Sequence, residues 1–191
     1  DNFLTAINNC LTTNPIDGLC TNSEYGAMPD WDVSQVTDMS NAFKERSNFN
    51  AGISAWDVSN VTNMALMFYA TLFNQDIGSW DVSNVTNMES MFWGDNDFNQ
   101  DISTWDTRSV TNMKSVFYNA DEFNQDIGGW DVSNVTNMSR IFSGARVFNQ
   151  DIADWDVSNV TEMVSMFSNA VSFNQPLNSW DVSNVVSMYA M

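Results

Sequence analysis

Residues 73–92 read FNQDIGSWDVSNVTNMESMF, and the stretch from 98 reads FNQDISTWDTRSVTNMKSVF. A third copy, from 123, reads FNQDIGGWDVSNVTNMSRIF. Trp31, Trp56, Trp80, Trp105, Trp130, Trp155 and Trp180 mark the period, at spacings of 25, 24, 25, 25, 25 and 25 residues. A fixed period in this range signals stacked repeats, each unable to bury its apolar face alone. The one spacing of 24 comes from the 69–72 segment YATL, a residue shorter than its equivalent at 93–97. A tolerated deletion points to a surface loop there.

Inside the 73–97 unit, Ile77, Trp80 and Val82 have the spacing of a leucine-rich pattern, which predicts a short strand preceded by a bend. Trp80 and Val82 then share one strand face and Asp81 points the other way. Val85, Met88, Met91 and Phe92 suit one face of a short helix or 3₁₀ turn. Thr86 with Glu89 has the form of a capping box, and the asparagine after the threonine can bond locally to the backbone. The expected fold is therefore an α/β, leucine-rich-repeat-like solenoid with one short strand and one short helix or 3₁₀ turn per 25-residue repeat. Its tryptophans would stack as a ladder, each ring pair adding about 0.5–1.5 kcal/mol beyond burial. The methionines read as core filling.

Residues 1–27 break the period and read as an N-terminal cap, with Phe3, Leu4, Ile7 and Leu11 lining one face of a short helix. Cys10 and Cys20 have no CxxC neighbour, so a local disulfide is the expected reading, with two free thiols as the alternative. A disulfide favours an oxidising compartment. Residues 28–191 hold about seven units, the last incomplete at Met191. An end inside a repeat exposes a core layer, which suggests a fragment, a missing partner or end-to-end self-association. The chain opens with Asp1 and shows no basic start of a secretory leader.

Lys and Arg number 6 against 24 Asp and Glu, with no histidine, for a net charge of −18. Such a surface repels nucleic acid and attracts cations or basic ligands. A hydrophobic fraction of 43% excludes a disordered acidic chain. No stretch reaches the roughly 20 apolar residues of a membrane helix, so direct insertion is not expected. Without histidine, and with cysteines only in the cap, the chain does not read as an enzyme. Paired carboxylates can cleave glycosides, but a uniform ladder offers no unique pocket.

The recurrence of WDVS, NVTNM and FNQD at fixed offsets resembles the BspA-like surface-protein repeats, over roughly residues 28–191. That resemblance implies an extracellular or surface-exposed protein, adhesion in some members, and no catalytic residues to carry over. The frame departs at FNAG (49–52) and at FNQP (173–176).

Function then rests on two columns. The aspartate after each tryptophan recurs as Asp32, Asp57, Asp81, Asp106, Asp131, Asp156 and Asp181. Stacked like charges are destabilising unless offset. Three answers stand open: backbone N–H groups of the following turn, bound Ca²⁺, or a basic partner. Asp57, Asp81, Asp106, Asp131 and Asp156 are the calcium candidates, on charge alone, since no EF-hand spacing is present. Asp76, Asp101, Asp126 and Asp151 form a second series with the same ambiguity. The other column is aromatic: Tyr69, Trp93 and Tyr118 occupy equivalent places in consecutive repeats and form a candidate partner-binding stripe. Alternatively those rings lie flat and cover a helix edge. The expectation is an extracellular or cell-surface adhesion or protein-recognition module with a protein or surface-glycan partner, requiring no cofactor. The alternatives are a structural protein assembling end to end and a calcium-stabilised scaffold.

Overall fold

The computed structural model describes residues 2–191; residue 1 of the expected 1–27 cap lies outside the described residues. After each repeat tryptophan but the last, the backbone N–H groups alternate between two kinds of acceptor. Met88, Ser90, Phe92 and Gly94 donate to the carbonyls of Asn112, Lys114, Val116 and Tyr118 in the next layer, at 2.7–3.0 Å. Between them, Met91, Trp93 and Asp95 donate three residues back, to Met88, Ser90 and Phe92. An α-helix needs all of these amides to bond four residues back, so the alternation excludes one. Two left-handed residues per layer set the path: Ser90 (φ 57°) and Gly94 (φ 66°) here, Leu66 (φ 60°) and Ala70 (φ 53°) in the layer before. A left-handed residue interrupts a right-handed helix outright.

The expected strand also gives way. Trp80 N–H closes onto Ile77 O and Val85 N–H onto Val82 O, so residues 77–85 pass through two bends. Parallel pairing is one residue wide per layer, running Asp38, Asn63, Asn87, Asn112, Asn137, Glu162 and Ser187. Among the described residues, the regular elements are α1 (Asn2–Thr13) and a 3₁₀ turn at Met28–Asp30, both in the N-terminal region. The α/β, leucine-rich-like reading is therefore corrected. The repeats stack as layers built from turns, without a strand or helix in each.

The inward set is nonetheless the one the spacing indicates. Ile77, Val82, Val85, Met88, Met91, Phe92 and Phe98 are fully buried, and Trp80 is nearly so. Each such aliphatic or aromatic side chain is worth about 1.5–3 kcal/mol on burial. Trp105 stacks on Trp130 with centroids 6.1 Å apart and planes at 6°; Trp31–Trp56 and Trp155–Trp180 repeat this at 6.5 Å. From Trp56 onward each repeat indole also donates one layer back, as with Trp80 Nε1 to Ile53 O, Trp105 to Ile77 O and Trp130 to Ile102 O, at 3.1–3.2 Å. Two phenylalanine columns fill the space behind, with Phe92 stacked on Phe98 at 3.9 Å and on Phe117 at 5.7 Å.

Side-chain polar groups tie the outer edge of the layers. Asn84 Nδ2 donates to Ser59 O, and Asn134 and Asn159 repeat this to Arg108 O and Ser133 O. In the divergent unit Ser109 takes over, its hydroxyl donating to Ser83 O. Asn99 N–H donates to Asn74 Oδ1, and Gln100 Nε2 to the same oxygen. Thr86 Oγ1 bonds Thr62 O in the layer before, so the expected capping box is an interlayer tie with no helix to cap. The NVT asparagines at Asn60, Asn84, Asn134 and Asn159, acceptor sequons by sequence, are thus committed to the stack.

In the N-terminal region α1 buries Ala6, Ile7, Cys10 and Leu11, and Phe3 packs edge-on against Trp56. Leu4 is 40% exposed and leaves the expected apolar face. Cys10 and Cys20 form the disulfide. The short 69–72 segment is only partly a surface loop: Leu72 is exposed, but Thr71 is buried. In the last described layers Val171, Val186 and Tyr189 are about four-fifths exposed.

Candidate recognition surface

Tyr69, Trp93 and Tyr118 follow the buried Phe68, Phe92 and Phe117, so the turn that seats each phenylalanine turns the next ring outward. All three rings are half-buried and touch in sequence. Tyr69 and Trp93 centroids lie 5.4 Å apart at 50°, and Trp93 and Tyr118 lie 4.4 Å apart at 42°. Lys44, at the equivalent place in the preceding layer, sets its ammonium 5.5 Å from the Tyr69 centroid. Beyond Tyr118 the column continues as the buried Ser143 and then Ser168, so the aromatic stripe spans three layers with a cation at one end. Among the described residues of these layers there is no helix whose edge the rings could cover.

The aspartates beside the tryptophans are engaged by their own turns. Ser83 N–H donates to Asp81 Oδ1 at 3.1 Å, and Ser158 and Ser183 do the same for Asp156 and Asp181. Asp57 and Asp131 each accept both the N–H and the hydroxyl of the following Ser59 or Ser133. The Ser59 hydroxyl, then its N–H, holds the Asp57 carboxyl below the usual carboxylate range; Ser158 acts likewise on Asp156. Arg108 answers Asp106 with its backbone N–H at 3.3 Å and with two side-chain contacts, Nε to Oδ1 at 2.8 Å and Nη2 to Oδ2 at 2.7 Å. That pairing holds Asp106 low as well. The second series closes turns in the same way, through Gly78 N–H to Asp76 and Gly128 N–H to Asp126. Among the described residues, no group of three or more Asp, Glu or Cys is placed to hold a metal.

The family described as "Mycoplasma protein of unknown function, DUF285" matches residues 18–110 and again 94–191. The chain belongs to the DUF285 family. No curated protein and no solved structure matches it. The two overlapping DUF285 matches run through the stacked layers and take in Cys20 but not α1.

One buried group of this DUF285 chain lay outside the sequence reading. Asp95 is completely buried, at the place held by Ala120, Ala145 and Ala170 in later layers. Its Oδ2 lies 2.8 Å from Thr71 Oγ1, which also lies 2.9 Å from Phe68 O. A hydroxyl has one proton. The Thr71 hydroxyl is placed to donate to both Phe68 O and Asp95 Oδ2, one proton shared between two acceptors. Burial pushes the Asp95 carboxyl up to about 8, against the lowering effects of the Thr71 hydroxyl and of the Phe73 and Asp97 backbone N–H groups. Its Oδ1 has no hydrogen-bond partner. The one signal in the sequence was an aspartate in a column otherwise occupied by alanine in three later repeats.

Proposed function

We propose that this chain is an extracellular or cell-surface recognition module whose Tyr69–Trp93–Tyr118 stripe contacts a protein partner. The observation that carries this reading is three partly exposed aromatic rings in mutual contact on rigid, hydrogen-bonded layers. Large aromatic side chains dominate interface energy when a partner buries them, and a preset stripe loses little freedom on binding. The Cys10–Cys20 disulfide supports an oxidising compartment. The net charge of −18 disfavours nucleic acid as the partner. The likeness of WDVS, NVTNM and FNQD to BspA-like repeats supports the same direction, although nothing in the DUF285 match connects the two families. The reading calls on no cofactor, and each aspartate beside a tryptophan accepts an N–H from its own turn.

The test is adhesion of protein-coated beads to cultured cells and to a panel of immobilised extracellular-matrix proteins and glycans. The Tyr69→Ser, Trp93→Ser, Tyr118→Ser triple variant should lose adhesion while keeping its unfolding midpoint within a few degrees. Equal adhesion by the folded variant and the wild type would remove the stripe from the account.

A further inference from the structure

Where α1 meets the first layer, a groove of about 330 Å³ opens among Phe3, Tyr25, Asp30, Trp31, Asp32 and Val36. Its aromatic walls are preset. Tyr25 and Trp31 form a corner, with centroids 6.0 Å apart and planes at 68°. Trp31 is held from behind by stacking on Trp56 and from the side by its Nε1 donating to Gly26 O at 3.1 Å. Phe3 is fixed by its own edge contact with Trp56 at 5.9 Å. Tyr25 remains 46% exposed.

The charged side chains among the described residues that line the groove are all acidic. Asp30 and Asp32 line it, and none of the six Lys and Arg residues does. Asp32 is tied by Ser34 N–H at 3.1 Å, and the Ser34 hydroxyl and N–H hold its carboxyl below the usual range, so it stays ionised. An anion is repelled here, and a neutral apolar ligand gains nothing from the carboxylates. A cation on an apolar stem uses both features: its methylenes lie on Phe3 and Val36, and its head meets ring faces and carboxylates.

We propose that this groove binds the alkylammonium side chain of a lysine presented by a basic segment of a partner protein. The proposal stands apart from the aromatic stripe, which lies on other layers and needs no cationic ligand.

The experiment titrates ¹⁵N-labelled protein with the peptide acetyl-Gly-Lys-Gly-amide and follows the Trp31 indole N–H resonance. A saturable shift is expected, with affinity weaker by roughly ten-fold or more for the norleucine peptide, which keeps the stem and lacks the charge. The Asp30→Asn, Asp32→Asn double variant should also bind the lysine peptide roughly ten-fold more weakly, with its thermal midpoint retained. Tyr25→Ser, at a half-exposed ring, should weaken binding without unfolding α1. The proposal is overturned if no saturable shift occurs, if the norleucine peptide binds as well, or if the double variant binds unchanged. Tetramethylammonium binding more tightly than the lysine peptide would assign the groove to a small quaternary ammonium and overturn the lysine assignment.

Discussion

Replacing Asp95 with alanine should stabilise the protein at neutral pH and destabilise it in acid. The folded carboxyl titrates near 8, whereas an unfolded aspartate titrates near 3.8. Below 3.8 both states hold the proton and burial carries no ionisation penalty. As pH rises from there, the unfolded chain releases its proton and the folded one keeps it, so stability falls by about 1.4 kcal/mol per unit. The loss levels off above the folded value. At pH 7 the penalty is about three units, or about 4 kcal/mol. Alanine removes it, at the loss of the Thr71 contact and of some packing, together about 1–2 kcal/mol. The net is a gain of about 2–3 kcal/mol at pH 7, a loss of about 1–2 kcal/mol at pH 3.5, and a crossover near pH 5. Urea unfolding followed by tryptophan fluorescence, on both proteins from pH 3.5 to 8.5, measures the difference directly. Every other acid is common to the two chains and cancels. A difference that stays constant with pH would refute the assignment of a protonated Asp95.

Trp130→Ala removes the stack on Trp105, the contact with Phe117 and the bond to Ile102 O, and should cost about 3–5 kcal/mol; an unchanged denaturation midpoint would contradict the buried ladder. Gly128 and Gly129 are adjacent but differ in surroundings. A Cβ on Gly128 would sit 2.5 Å from the Asp151 carbonyl oxygen, while one on Gly129 meets nothing within 4 Å. Gly128→Ala should therefore cost about 1–3 kcal/mol and Gly129→Ala less than about 0.5 kcal/mol, and equal thermal shifts would contradict the spacing of these layers.

The side chains that build the core were legible because burial depends on spacing, and different backbones can share a spacing. Ile77, Trp80 and Val82 point inward whether the chain between them is a strand or two bends, so period alone could not separate the cases. Val85, Met88, Met91 and Phe92 likewise fit a helix until Ser90 adopts a positive φ. The clue was in the columns: Ser90, Ser115 and Ser165 at one left-handed place, Gly94, Asn119, Gly144 and Asn169 at the other. Leu66, Arg140 and Ala70 occupy the same places and conceal it. The aspartate turns followed from Asp–x–Ser chemistry, which needs only local sequence. Thr71 and Asp95 come together across layers 24 residues apart, at the one place where the period shortens. Similarly, the groove between α1 and Trp31 depends on how an aperiodic segment docks, which no repeat pattern encodes.

The amides of each turn segment reach forward to the next layer, while the indole and threonine groups reach back. These bonds run along the stacking axis. A pull along that axis loads the stacked interfaces in series, each carrying the same force, and does not shear one past another. The weakest interface opens first, and each freed layer releases roughly 80–90 Å of extended chain before the next gives way. Under such a pull the chain would lengthen in nearly equal steps while the layers still stacked keep their surfaces.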